Sequence, residues 1–119
     1  MKFSESLKKT SDFRSIYKSG RSCANRYLVM YVKENNLEKN RIGISVSKKV
    51  GNSVVRHRLT RLVREAYRLS EEKYMKGLDI IVIARVNAKD CTYRQIESAI
   101  YHLSKMHNIM EDKNEVCDD

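Results

Sequence analysis

Proline and tryptophan are absent from this chain, glycine occurs four times and cysteine three times. The lack of proline removes the collagen-like and proline-rich linker classes. No apolar run approaches the ~18–20 residues needed to span a bilayer; Asp79-Ile-Ile-Val-Ile-Ala84 is far too short. The opening residues, Met1-Lys-Phe-Ser-Glu-Ser6, carry none of the apolar stretch of a secretory signal. Cys23, Cys91 and Cys117 are odd in number and far apart, so they form neither a disulfide framework nor a CxxC metal site. They read as free thiols in a reducing cytoplasm. The acids of the body are scattered without metal-ligand spacing, so no protein-held metal and no membrane partner are expected.

Negative charge is also scarce. Lys and Arg number 24 against 15 Asp and Glu, a net charge of +9 over 119 residues. That length suits one domain, and that excess of positive charge suits a polyanionic partner rather than a small-molecule substrate. The charge is concentrated. Residues 41–68 hold eight basic residues (Arg41, Lys48, Lys49, Arg56, Arg58, Arg61, Arg64 and Arg68) against Glu65 alone, a local +7. Residues 111–119 hold five acids against Lys113, a local −4. The expected organisation is a single domain over 1–110 with a disordered acidic tail over 111–119.

Hydrophobic spacing supplies the elements. Phe13, Ile16 and Tyr17 recur as on a short helix, capped by Thr10 or Ser11 and stopped in a left-handed turn at Gly20. Arg21–Ala24 has room for a short strand. Tyr27-Leu-Val-Met-Tyr-Val32 is β-branched and aromatic, hence a strand. Ile42, Ile44 and Val46 alternate on one side of a further strand, and Asp79–Ala84 reads as a strand covered on both faces. Thr92 with Gln95 forms a capping box for a last helix whose core stripe is Ile96, Ala99, Ile100 and Leu103. Tyr27 and Tyr101 read as core, His102 and His107 as surface.

The segment from about Asn52 to Leu69 is the informative one. Val55, Leu59, Leu62 and Ala66 make one buried stripe of a helix capped by Asn52 or Ser53. At about 100° per residue, His57, Arg61, Arg64 and Arg68 form a second stripe opposite, flanked by Arg56 and Arg58. Arginines at i,i+3 and i,i+4 repel, and Glu65 is the one acid available to relieve them. Such a helix points to an external polyanion, with Arg suited to bidentate phosphate binding. The preceding loop, Val46-Ser-Lys-Lys-Val-Gly-Asn-Ser53, enters a helix N-terminus as phosphate-holding loops do, although the GxxxxGK[ST] order is missing.

Ser45-Val-Ser-Lys-Lys-Val-Gly-Asn-Ser-Val-Val-Arg-His-Arg-Leu-Thr-Arg-Leu-Val-Arg-Glu-Ala-Tyr67 resembles the signature of the bacterial ribonuclease P protein family. Ser11-Asp-Phe-Arg-Ser-Ile-Tyr-Lys-Ser-Gly20 is similar to that family's opening helix, Ala24-Asn-Arg26 to the segment after it, and Asp79–Arg85 to its last strand. Two departures stand out: Arg56-His57-Arg58 where the family usually reads Arg-Asn-Arg, and Thr60 where Lys is common. The resemblance implies an α/β sandwich (α+β) in αβββαβα order, with a four-stranded mixed sheet and a left-handed βαβ crossover through the basic helix. It also implies an endoribonuclease whose catalyst is an RNA subunit using magnesium, the protein itself being non-catalytic. The partners implied are that RNA and the 5′ leader of precursor tRNA. Lys48, Lys49, Arg56, His57, Arg58, Arg61, Arg64 and Arg68 would meet RNA. Phe13, Tyr17 and Tyr31 would line the leader path, with Ser45 at its polar edge. Read without the resemblance, Phe13 and Tyr17 fit ordinary helix-to-sheet packing. Two other classes compete with the implied one: a self-sufficient nuclease using His57, His102 and His107, and a non-catalytic ribosomal or DNA-binding protein.

Overall fold

The computed structural model describes residues 3–111. Its elements are β1 (Ser4–Ser6), α1 (Thr10–Ser19), β2 (Arg21–Ala24), β3 (Leu28–Glu34), β4 (Asn40–Ser45), α2 (Ser53–Ser70), β5 (Leu78–Ala84) and α3 (Tyr93–His107). Short 3-10 turns at Glu71–Lys73 and Val86–Ala88 bracket β5. The sheet order is β1-β4-β5-β3-β2; β1, β4 and β5 run parallel, while β3 is antiparallel to both β5 and β2. Helix α2 is thus the crossover between the parallel neighbours β4 and β5.

The sheet has five strands rather than the four expected. The extra one, Ser4–Ser6, pairs with Asn40–Ile42. Its Ser-Glu-Ser sequence has no β-branched or aromatic residue to announce a strand. Backbone pairing and the Ser4 hydroxyl hold it, the latter 2.6 Å from the Tyr67 hydroxyl and donating to Glu71 at 3.0 Å. The expected acidic tail lies outside the described residues except for Glu111, whose N–H donates to the Lys73 carbonyl at 2.6 Å.

Strand alternation builds two unequal layers. Ile80 and Val82 point to α2 and α3, where they join Leu28, Met30, Val32, Leu59, Val63, Ile96 and Leu103 in the main core. Ile81 and Ile83 point the other way, toward α1, with Leu7 and Ile16. Helix α2 is capped by the Asn52 side chain, which accepts from the Val55 N–H at 3.0 Å. The Thr92–Gln95 capping box on α3 is formed.

Several local expectations need correction. The residue before α1 is Lys9, and no side chain caps that helix. Gly20 ends it at φ −77°, not in a left-handed turn; glycine is needed because a Cβ would stand 2.6 Å from the Ile16 carbonyl oxygen. The buried residues of α2 are Leu59, Val63, Ala66 and Tyr67, with Val55 and Leu62 partly covered. Its buried face is wider than a single stripe because the helix meets α3 as well as the sheet. Tyr101 is 53% exposed, its ring under Lys105, and so is not core. His107 is buried instead, bonded to the Met30 carbonyl at 2.9 Å. It lies at i+11 from Ile96, on the same stripe as Leu103.

Candidate nucleic-acid interface

The basic surface is organised by what its neighbours neutralise. In the loop before α2, the Val50 N–H donates to the Ser47 carbonyl at 3.1 Å and the Val50 side chain is buried, so the turn holds Lys48 and Lys49 outward. On α2, His57, Arg58, Arg61 and Leu62 line a shallow groove with Ser53 and Val54. Glu65 does not relieve the whole stripe. It is forked by Arg68, Nε to Oε1 at 2.9 Å and Nη2 to Oε2 at 2.8 Å. That hydrogen bonding holds the Glu65 carboxyl below its usual range. Arg61 and Arg64 are exposed and make no ion pair among the described residues.

The other candidates are placed differently. Arg58 turns its guanidinium onto the carbonyls of Cys91 and Lys89, stapling α2 to the loop before α3. Arg56 is half-buried, and its Nε is buried without a hydrogen-bond partner. Thr60 donates to the Arg56 carbonyl at 2.9 Å, so its hydroxyl is committed to the helix backbone. Arg41, counted with the basic stretch in sequence, does not join it. It lies on the α1 side, forked onto Asp79 at 2.8 and 2.7 Å with Asp12 at 3.4 Å.

That Arg41 cluster, with Lys33 donating to Ser15 at 2.8 Å, pins α1 across one end of the sheet. Beyond it the aromatic residues converge. Tyr17 meets Tyr31 edge-on with centroids 5.1 Å apart, and Phe13 lies 6.3 Å from Tyr17. Phe13, Tyr31 and Ser45 are half-buried, and Tyr17 is 39% exposed. Burial pushes the Tyr17 phenol up, with the Ser45 hydroxyl opposing. The four residues therefore form one partly open cleft between α1 and the sheet. Sequence reasoning missed its floor, Val29 and Ile83, which are paired across β3 and β5 and half-exposed. It also missed Gly43, where a Cβ would stand 2.6 Å from the Phe13 ring. Strand alternation carries the signal for the floor, since Ile83 must face opposite to Val82.

The histidines do not assemble. His107 is buried on the Met30 carbonyl, His102 lies 3.3 Å from the Asn25 amide and His57 sits on α2. No group of three or more His, Cys, Asp or Glu that could hold a metal occurs among the described residues. No helix among them is long and apolar enough to cross a membrane.

Comparison with known proteins agrees with this architecture. The family model Ribonuclease P matches residues 1–108. The ribonuclease P protein component of Lachnoclostridium phytofermentans is 57% identical over 107 residues, 90% of this chain and 92% of that protein. Its counterpart in Clostridioides difficile is 52% identical over 104 residues, 87% of this chain and 91% of that protein. The solved RNase P protein of Staphylococcus aureus aligns with TM-score 0.82 at 42% identity, covering 88% of this chain and 96% of its own. That of Thermotoga maritima aligns with TM-score 0.79 at 32% identity, covering 86% and 96%. The chain belongs to the bacterial ribonuclease P protein family, the protein components of the ribonucleoprotein endoribonuclease that matures the 5′ end of tRNA.

Proposed function

We propose that the two surfaces divide the work of the holoenzyme. The α2 stripe and its loop bind the phosphate backbone of the catalytic RNA subunit. The aromatic cleft on the other side of the sheet receives the single-stranded 5′ leader of precursor tRNA. One observation carries this reading: Arg61 and Arg64 stand outward with no ion pair among the described residues, while Phe13, Tyr17 and Tyr31 gather around a half-open floor. Guanidinium groups neutralise phosphates regardless of sequence, and aromatic faces stack on any unpaired base. A leader of varied sequence requires that tolerance.

Magnesium is assigned in this reading to the RNA subunit, as the resemblance to the ribonuclease P protein family implies. The protein's own contribution is to hold the leader and to screen phosphate repulsion between substrate and RNA subunit. The same reading places the chain in a reducing cytoplasm, where the free thiols of Cys23 and Cys91 persist. Burial pushes the Cys91 thiol up, away from reactivity.

The test is cleavage of a precursor tRNA by protein alone, by RNA subunit alone, and by both, at low magnesium. Protein alone should leave the substrate intact, and the mixture should cut faster than RNA alone. Cutting by RNA-free protein, abolished by His57→Ala or His102→Ala, would establish a protein nuclease instead.

A further inference from the structure

A second basic groove lies between the β2–β3 turn and α3, lined by Asn25, Arg26, Tyr27, Arg94, Gln95 and His102. Among the described residues no carboxylate lines it. Its uncharged polar groups are tied to one another. The Asn25 side chain accepts from the Tyr27 and Leu28 N–H groups and donates to the Ala99 carbonyl at 3.0 Å. Gln95 accepts from the Thr92 N–H and donates to the Tyr27 hydroxyl. The Asn25 carbonyl takes Arg85 at 2.8 Å. The arginines that face the groove are left over. Arg26 lies over the Tyr27 ring at 5.5 Å, and neither Arg26 nor Arg94 makes an ion pair among the described residues. A rigid polar floor under two uncompensated guanidiniums selects an extended polyanion.

This groove connects with the α2 surface. Arg58 lines the α2 groove, and its guanidinium reaches the Lys89 and Cys91 carbonyls of the loop that leads into α3. Arg58 and Arg26 both favour the Cys91 thiolate electrostatically, opposing the burial that pushes that thiol up. Helices α2 and α3 pack on each other on the sheet face opposite α1, so this band faces away from the aromatic cleft.

We propose that the Arg26–Arg94 groove is a second backbone-binding site for the RNA subunit, continuing the arginine track of α2 through Arg58. The site takes phosphodiester groups of that RNA and not the leader, and the proposal rests on the reading that α2 binds the RNA subunit. The experiment titrates a transcribed bacterial ribonuclease P RNA with the full-length protein across a KCl series. Wild type is compared with Arg26→Ala/Arg94→Ala, with the double Lys variant at the same positions, and with Arg61→Ala/Arg64→Ala. Two phosphates left unneutralised should reduce the slope of log K against log salt by about 1.4–1.8, at ~0.7–0.9 per phosphate. The melting temperature should stay unchanged, and the Lys variant should keep most of the slope.

An unchanged slope in Arg26→Ala/Arg94→Ala, with a reduced one in Arg61→Ala/Arg64→Ala, would overturn the groove and leave the helix standing. Unchanged slopes in both would overturn the reading beneath it. A lowered melting temperature with the slope kept would make the arginines structural, which also overturns the proposal. So would a defect confined to precursor tRNA carrying a leader.

Discussion

On the α2–α3 face of the sheet, the described residues bury twenty-one apolar side chains in one cluster; on the α1 face the buried set is Leu7, Ile16 and Ile81. The two faces solve different problems. The deep face separates its duties by helix side, with Leu59 and Val63 pointing in and Arg61 and Arg64 pointing out. On the shallow face one set of rings does both. Phe13, Tyr17 and Tyr31 hold α1 to the sheet and also form the open cleft. Stability and binding should therefore be separable by mutation on the deep face and coupled on the shallow one.

The largest effect should come from the deep core. Leu59→Ala empties a fully buried position and should cost about 2–5 kcal/mol in denaturant unfolding. If it costs no more than Phe13→Ala, the two faces share stability evenly and the contrast fails.

Next comes the cleft. Truncating Phe13 or Tyr17 to Ala should cost ~1–3 kcal/mol in affinity for precursor tRNA with a leader of several nucleotides. Affinity for mature tRNA, which has no 5′ extension, should not change. The stability loss should fall below the ~3–5 kcal/mol of a buried aromatic truncation, since both rings are partly exposed. Gly43→Ala sharpens the point, because its new methyl would displace the Phe13 ring and should imitate part of the leader defect with every aromatic retained. Equal losses for precursor and mature tRNA would return these rings to plain packing.

The legibility of the two faces from sequence differs in the same way. The basic stripe on α2 is readable because helical spacing alone decides which side chains share a face. Which arginines remain available is not readable. Arg58 is drawn to the Cys91 carbonyl and Arg41 to Asp79, 33 and 38 positions away in the chain. The cleft depends on resemblance, since Phe13 and Tyr17 look the same in sequence whether a groove is open or closed. Its floor comes from strand register, and β1 from backbone pairing that leaves no mark on Ser-Glu-Ser. His107 is legible yet was missed, as its spacing from Ile96 and Leu103 continues the core stripe.

A smaller effect on the fold is expected from the outward arginines. Arg61→Ala/Arg64→Ala should move stability by no more than about 0.5 kcal/mol, as exposed substitutions generally do. It should lower the salt slope of RNA-subunit binding by ~0.7–0.9 for each phosphate no longer neutralised. A marked drop in melting temperature would mean that the helix needs these charges for folding.

The smallest effect, confined to a narrow pH window, tests how dry the deep face is. His107 is buried against β3. Desolvation pushes its imidazole below the ordinary range, with nearby Arg21 acting in the same direction and the bond to the Met30 carbonyl opposing. In the unfolded chain the group titrates near ~6.5. Below that value the unfolded state binds a proton that the native state refuses, so stability falls as pH falls toward the native pKa. Above it both states hold neutral imidazole and the contribution is constant. Unfolding free energy measured from about pH 7.5 to about pH 5, a range that brackets the unfolded value, should therefore be level in the upper part of that window and decline below about 6.5. The decline should be shallower in His107→Gln, which cannot titrate. A His107→Gln curve parallel to wild type would show that the imidazole is solvated in the native state, and that the deep face is wetter at its α3 end than its packing indicates.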